Sequence, residues 1–306
     1  MNKQKPLLIC VVGATAIGKT KLAIAIAKAF NTQIVSADSR QFYKEMTIGT
    51  AVPSRTELQA VPHHFIQHKS ITETFSVGDF EKEALQLLTN LFTKNQVVVL
   101  VGGSGLYIDA VVKGLDYFPD VPKEIRQELN EQFKEKGITF LQEELQRIDP
   151  VYFQKVDKDN PHRLIRAIEV YRASGQPYSS FLNKKKKTRF FSTLYIGLQA
   201  ERPVLYQRIN KRVDCMLKEG LVEEVKTLLP FKHLNALQTV GYKELFAYFE
   251  EKTTLEEAVF EIKKNTRRFA KRQGTWFRKN KEIQWFQYDE KTDKIIEFIR
   301  KKITCY

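Results

Sequence analysis

The sequence has only three cysteines, Cys10, Cys215 and Cys305, among its 306 residues. They lie far apart and form no CxxC pair, which argues against a disulfide framework and against a zinc site built on paired cysteines. So few, unpaired cysteines are typical of proteins of the reducing cytosol. We therefore expect a cytoplasmic protein.

Long apolar runs are also missing. No stretch approaches the roughly 18 residues of a membrane span. The apolar run Leu7–Val12 has six residues, fewer than the roughly 7–15 of a secretory signal core. It leads directly into a glycine-rich loop, so it predicts a buried first strand rather than a signal peptide. The sequence thus predicts a soluble protein that is neither exported nor bound to a membrane.

Acidic residues are outnumbered, with 36 Asp and Glu against 50 Lys and Arg, a net charge of +14 and a pI near 9.5. A surplus this large favours a polyanionic partner, either nucleic acid or an acidic membrane surface. The remaining composition, 42% hydrophobic and 28% charged, is that of an ordinary globular protein and excludes a disordered or fibrous chain. At about 150 residues per domain, this length predicts two domains or one large domain with an insertion.

The first hundred residues alternate between strand and helix patterns. Continuous apolar strands are predicted at 7–12 and 97–101 and a short strand at 33–36, with amphipathic helical patterns between them. Strands that are apolar on both faces belong in a parallel sheet covered by helices on both sides. We therefore predict a doubly wound α/β fold.

The pattern changes after about residue 113. Residues 122–187 show helical periodicity and no convincing strand, whereas 190–198 is again apolar and β-branched. We predict a parallel-sheet core in two parts, residues 1–112 and 191–306, interrupted by a helical insertion at 113–190. The second part of the core ends in basic helices.

A phosphate-binding loop follows the first predicted strand. The pattern GxxxxGK[ST] is met in full by Gly13, Ala14, Thr15, Ala16, Ile17, Gly18, Lys19 and Thr20. Such a loop between a strand and a helix directs backbone N–H groups at phosphate oxygens, while its lysine neutralises charge and its hydroxyl can bind Mg²⁺. A glycine turn with an incidental lysine is the alternative, and the strand–loop–helix context argues against it. We expect a di- or triphosphate to bind here.

Two further segments follow strands and so are expected at the same carboxyl edge of the sheet. The first is Asp38–Gln41, in which Asp38 fits a metal ligand, a general base or a cap for the next segment. The second is Gly102–Gly105, which exposes the Ser104 hydroxyl. Because the strand 97–101 ends in glycines and not in an aspartate that would hold Mg²⁺, hydrolysis of ATP is not expected.

Cations and aromatic side chains alternate near the C-terminus. Between Glu261 and Lys281 there are nine cations and one acid, interleaved with Phe269, Trp276 and Phe277. This pattern fits a solvated helix or a surface that follows an RNA backbone. The basic run Lys184–Lys187 is open to the same two interpretations, and the net charge favours nucleic acid for both.

Together these segments resemble the tRNA dimethylallyltransferase (tRNA isopentenyltransferase) family over nearly the full length of the chain. Several blocks carry the resemblance, in the family's order: the phosphate-binding loop, Asp38–Tyr43 with Ile48–Ala51 and Pro62–His64, Gly102–Tyr107, Asn160–Arg163, Gln238–Glu244 and Arg268–Arg278. Ala14 and Ile17 depart from the family's usual proline and serine. The resemblance implies an α/β fold with a P-loop NTPase-like parallel sheet.

The resemblance also implies an activity, the transfer of a dimethylallyl group from its diphosphate to the exocyclic amine of the adenosine just 3′ of the anticodon in tRNA. The loop 13–20 would hold the donor diphosphate together with Arg212, Thr20 would bind Mg²⁺, and Asp38 would be the general base. Catalysis would thus depend on Asp38, Lys19 and Arg212. The insertion would grip the anticodon stem-loop, and a monomer is expected. The residues implied to touch tRNA are Asp38, Ser39, Arg40, Gln41, Ser104, Arg126, Asn160, Pro161, His162, Arg163, Leu164, Gln238, Thr239, Val240, Gly241, Tyr242 and Lys243.

Three other functions compete with this one. An adenylate isopentenyltransferase would act on a free nucleotide and would not need the basic surfaces. A small-molecule kinase would transfer phosphate from ATP. A non-enzymatic RNA-binding module would need neither Asp38 nor an intact phosphate-binding loop.

Overall fold

A computed structural model of the chain describes residues 5–182 and 188–303, so the basic run Lys184–Lys187 lies outside the described residues. The chain divides into two compact units. The core unit consists of the described parts of Met1–Lys113 and Arg189–Tyr306, and the insertion unit of those of Gly114–Thr188. No helix in the described ranges is long and apolar enough to cross a membrane.

The core unit is built on one six-stranded sheet in which every pairing is parallel. Its strands are β1 (Leu7–Gly13), β2 (Ile34–Ser36), β3 (His63–His64), β4 (Val97–Gly102), β5 (Ser192–Gln199) and β6 (Gln284–Gln287). They lie in the order β3-β2-β4-β1-β5-β6. The central strands β1 and β4 are buried throughout, as a sheet covered on both faces requires. The predicted α/β fold is confirmed.

The helices of the chain follow the predicted alternation. The core unit holds α1 (Lys19–Ala29), α2 (Arg55–Ala60), α3 (Val77–Leu91) and α4 (Gly105–Lys113) before the insertion. The insertion unit holds α5 (Lys123–Ile148), α6 (Pro150–Phe153) and α7 (Pro161–Ser174). The core unit continues with α8 (Arg202–Lys218), α9 (Leu221–Thr227), α10 (Tyr242–Phe249), α11 (Leu255–Arg278) and α12 (Thr292–Ile303).

Two apolar clusters cover the two faces of the sheet. Alternate residues of β1 belong to different clusters: Leu8 and Cys10 pack with α3 and α10, whereas Ile9 and Val11 pack with α1 and α12. This alternation follows from the two-residue period of a strand. Because the strands are paired in parallel, their carboxyl ends lie along one edge of the sheet, where the loops after β1, β2 and β4 are found.

The insertion unit is helical in its described residues, as predicted. Gly137 has a φ of 73° and interrupts α5, because glycine adopts this left-handed conformation without strain. Helix α7 begins at the predicted Asn160–Pro161 cap and ends at Gly175, which has a φ of 69°. Leu129, Leu164 and other apolar side chains of the unit form a separate small core.

Candidate active site

The loop after β1 has the conformation that an anion site requires. Gly13 and Gly18 have φ values of 144° and 110°, which residues other than glycine rarely adopt. An added Cβ at Gly13 would also lie 2.7 Å from the Leu198 carbonyl oxygen. Gly18 precedes α1, whose first turn carries no acidic residue and no side-chain cap. The N–H groups of this helix terminus are therefore left for an anion.

Lys19 is a partly buried cation in this loop. Its Nζ donates a hydrogen bond to the Ala14 carbonyl oxygen at 2.8 Å. Burial lowers its pKa to about 8, an effect that Arg212 reinforces and Asp38 opposes. Burial and Arg208 also lower the pKa of Arg212. Because Lys19 and Arg212 are both desolvated and the charge of Arg212 disfavours that of Lys19, the site favours the binding of a polyanion.

A cavity of about 730 Å³ opens beside the loop, and we call it the P-loop cavity. Of the eight predicted loop residues, it is lined by Thr15, Ala16, Gly18, Lys19 and Thr20. The other three, Gly13, Ala14 and Ile17, line a separate cavity of about 100 Å³. Ile17 is 1% exposed and packs into the core. Its side chain does not line the P-loop cavity, so the replacement of the family's usual serine by isoleucine changes no side chain there.

Asp38 and Ser104 are brought together by their neighbouring strands β2 and β4. The Ser39 backbone N–H donates to Ser104 Oγ at 3.2 Å. The Arg40 backbone N–H donates to Asp38 Oδ1 at 3.1 Å, which closes a turn of the kind that aspartate favours. Asp38 thus has the capping contact that the sequence left open, and it also lines the P-loop cavity.

A second cavity, of about 690 Å³, lies on the Ser104 side, and we call it the Ser104 cavity. The residues predicted to touch tRNA that line it are Asp38, Ser39, Arg40, Ser104, Gln238, Thr239, Val240, Gly241 and Lys243. Gln41 lines the P-loop cavity instead, and its amide donates to the carbonyl oxygens of Thr50 and Ala51. The segment Gln238–Lys243 is therefore at the site, although it is distant from Asp38 in sequence.

The two cavities share one wall. The residues that line both are Thr15, Asp38, Thr50, Ala51, Arg212, Met216, Phe269 and Gln273. Asp38, the predicted base, and Arg212, a predicted diphosphate ligand, are thus located where the two cavities adjoin. A molecule in either cavity has access to Asp38.

Two predicted RNA contacts need correction at the level of the side chain. Tyr242 is fully buried and its hydroxyl donates to Glu224 Oε1 at 2.7 Å. Leu164 is fully buried in the core of the insertion unit. Neither side chain is accessible to RNA, because each one is committed to packing.

The other predicted contacts in the insertion unit lie on or near its helix ends. Asn160 caps α7 by accepting the Arg163 backbone N–H at 3.3 Å. Pro161 occupies the first turn, and His162 follows it. Arg126 is about half exposed and forms an ion pair of 2.7 Å with the buried carboxylate of Glu169.

Glu224 is a site residue that the sequence did not reveal. Its carboxylate accepts the backbone N–H groups of Thr47, Ile48 and Gly49 at 2.7–3.0 Å, in addition to the Tyr242 hydroxyl. It therefore fixes the loop 47–51, of which Gly49, Thr50 and Ala51 line the Ser104 cavity. No local pattern marks Glu224, because the backbone groups that it binds are 175–177 residues away.

The cations at the end of α11 lie along a further recess of about 400 Å³, which we call the outer groove. It is lined by Arg268, Lys271, Arg272, Thr275, Trp276 and Lys279. Trp276 and Arg272 also line the Ser104 cavity, and Trp276 is 39% exposed. The basic surface is thus continuous with the site.

Comparison with known proteins gives one consistent match. A family model described as IPP transferase matches residues 41–280. The chain is 58% identical to a tRNA dimethylallyltransferase of Christiangramia forsetii over 97% of this chain and 98% of that protein. It is 55% identical to the tRNA dimethylallyltransferase of Flavobacterium psychrophilum, again over 97% and 98%.

Solved structures agree with the sequence matches. A tRNA isopentenylpyrophosphate transferase from Bacillus halodurans superposes with a TM-score of 0.72 at 39% identity, covering 98% of this chain and 96% of that one. A eukaryotic dimethylallyltransferase acting on tRNA superposes with a TM-score of 0.77 at 25% identity, covering 93% and 74%.

Proposed function

The chain belongs to the IPP transferase family, and on that premise we propose that it is a tRNA dimethylallyltransferase. It transfers the dimethylallyl group of dimethylallyl diphosphate to the exocyclic amine of the adenosine just 3′ of the anticodon. The observation that carries this proposal is the position of Asp38 in the wall shared by the P-loop cavity and the Ser104 cavity. That arrangement suits a reaction in which donor and acceptor meet at a base.

The donor diphosphate occupies the P-loop cavity in this proposal. Lys19 and Arg212 neutralise its charge, and the free N–H groups at the start of α1 add hydrogen bonds. These contacts strengthen as the allylic C–O bond breaks and negative charge gathers on the leaving group, so they stabilise the transition state. Met216 and Phe269, which line both cavities, offer an apolar surface to the dimethylallyl chain.

The residues of the P-loop cavity fit a magnesium ion that is held mainly by the substrate. The described residues include no cluster of three His, Cys, Asp or Glu side chains that could hold a metal by themselves. Mg²⁺ commonly takes one or two protein oxygens together with phosphate oxygens and water, and Thr20, which lines the cavity, would supply one of them. When bound, the ion would neutralise charge on the departing diphosphate.

The acceptor adenine enters through the Ser104 cavity. Its exocyclic amine is a weak nucleophile, because the nitrogen lone pair is delocalised into the ring. As the new C–N bond forms, the nitrogen gains positive charge, and the Asp38 carboxylate removes the proton. The acceptor adenine must leave its stack to reach Asp38. Other enzymes that modify a nucleobase within folded nucleic acid also turn the nucleobase out of its stack.

The charged surfaces bind the rest of the tRNA. The outer groove and the cations of α11 contact phosphates, and the insertion unit holds the anticodon stem-loop. These surfaces distinguish the proposal from an enzyme that modifies free adenylate. We further propose that the enzyme acts as a monomer in the cytoplasm.

The test is incubation with labelled dimethylallyl diphosphate and either tRNA or AMP, followed by analysis of the nucleosides. The proposal expects label only in tRNA, on the adenosine 3′ of the anticodon. Label in AMP would favour the adenylate isopentenyltransferase. Transfer of phosphate from ATP to an acceptor would favour a kinase, and binding of RNA without transfer would favour a non-catalytic module.

A further inference from the structure

Gln273 is a buried polar residue at the centre of the site. It lies on α11, is 7% exposed and lines both cavities. A buried amide needs partners at both its oxygen and its nitrogen, because an unpaired polar group in the interior is destabilising. The partners of Gln273 come from two different loops.

The amide of Gln273 bridges the loops after β1 and β4. Its Oε1 accepts the Thr15 backbone N–H at 2.8 Å, and its Nε2 donates to the Gly103 carbonyl oxygen at 3.0 Å. Gly103 is needed for this approach, because an added Cβ would lie 2.3 Å from Gln273 Nε2. One side chain thus connects the phosphate-binding loop to the turn that follows β4.

This bridge continues to the proposed base. Gly103 precedes Ser104, whose hydroxyl accepts the Ser39 backbone N–H at 3.2 Å, and Ser39 follows Asp38. A short chain of bonds therefore leads from Thr15, at the diphosphate, through Gln273 to Asp38, at the acceptor amine. Gln273, in the middle of this chain, thus links the loop at the donor diphosphate to the segment that carries Asp38.

Helix α11 has a separate anchor, so Gln273 is not required to dock it. One turn further on, the Trp276 indole N–H donates to Asp109 Oδ2 at 2.9 Å. The indole also packs against Gly105, where an added Cβ would lie 2.2 Å from the ring. Phe277, 4% exposed, adds a buried apolar contact. The helix keeps these contacts when the amide of Gln273 is removed.

We propose that Gln273 is a positioning residue that sets the donor diphosphate relative to Asp38. The inference rests on the proposed function and adds to it a residue that touches neither reacting atom. Glutamine suits this task because its amide accepts at one end and donates at the other. Misplacement of reacting groups by about 1 Å can lower a rate by about 10²-fold.

The experiment compares Gln273→Met, which keeps the volume but neither hydrogen bond, and Gln273→Asn, which keeps the amide but is one methylene too short. The matched control is Gln284→Met, at an exposed glutamine of β6. For each variant, single-turnover transfer to tRNA is measured at saturating donor. The dissociation constants of inorganic diphosphate and tRNA and the melting temperature are measured alongside.

We expect both Gln273 variants to transfer about 10²-fold more slowly, while the two dissociation constants stay near those of the wild type. If Gln273→Met does not fold, Gln273→Asn, which leaves a polar amide in place, decides the result. A folded variant with a near wild-type rate at saturating donor would overturn the inference, even if its dissociation constant for inorganic diphosphate had risen. Failure of the wild type itself to transfer would instead contradict the proposed function.

Discussion

At the scale of single residues, the fold changes the pH range over which Lys19 is charged. Burial beside Arg212 lowers the pKa of Lys19 to about 8 in the free protein. The cation that would meet the diphosphate is therefore lost as the pH rises through this value. Lys19 loses its proton in the free enzyme, before the donor binds. The pKa of Lys19 should therefore appear in the pH profile of kcat/KM for the donor.

We predict that kcat/KM for dimethylallyl diphosphate falls about tenfold per pH unit above a pH of about 8. Lys19→Arg is the informative comparison, because a guanidinium keeps its charge throughout this range. It should show a lower kcat/KM that stays flat up to pH 10. A wild-type profile without a decline between pH 8 and 10 would contradict the role given to the buried ammonium group.

At the scale of elements, the loop 47–51 depends on a contact with a distant helix. Glu224 on α9 accepts three consecutive backbone N–H groups of this loop and the Tyr242 hydroxyl. Burial and the Glu224 charge raise the pKa of Tyr242, so its hydroxyl remains a donor. The loop 47–51 lines part of both cavities. A substitution of Glu224 should therefore alter the conformation of the loop at the site.

Glu224→Gln should lower the free energy of unfolding by about 1–3 kcal/mol, because its amide NH₂ cannot accept from the backbone donors. Tyr242→Phe, which removes one of the four donors, should have a smaller effect. Glu223→Gln, at an exposed neighbour on α9, is the control. Urea denaturation measures the stabilities, and equal midpoints for the Glu224 and Glu223 variants would contradict this account.

The elements also show what local sequence can predict. The loop 13–20 and the strands β1 and β4 were predicted because their patterns are local and continuous. The strands β3 and β6 were missed, since β3 has two residues and β6 has only four, which begin and end with an exposed glutamine. Glu224 and Gln273 were missed as site residues for another reason. The backbone groups that they bind are 170 or more residues away along the chain, and only the folded chain brings them together.

At the scale of the whole molecule, the net charge of +14 should govern tRNA binding much more than donor binding. Each cation that contacts a phosphate releases counterions, so log K for tRNA should fall with log salt with a slope of several units. Neutralising Arg268 and Lys271 to Gln, in the outer groove, should reduce that slope by about 2. Binding of inorganic diphosphate should respond to salt much less.

The control for this prediction is neutralisation of Lys28 and Lys94, exposed cations near the opposite edge of the sheet. Filter binding of tRNA over a range of salt concentrations gives each slope. Equal slopes for the wild type, the outer-groove variant and the control would remove the α11 cations from the RNA surface.

The central claim is that Asp38 accepts a proton from the adenine amine, and Asp38→Asn tests it most directly. Asparagine keeps the side-chain oxygen that accepts the Arg40 N–H at 3.1 Å, so the turn should survive and the melting temperature should change little. It cannot act as the base, and single-turnover transfer at saturating substrates should fall about 10²–10⁴-fold. A folded Asp38→Asn variant that transfers the dimethylallyl group at a near wild-type rate would contradict the account and leave Asp38 with its structural role alone.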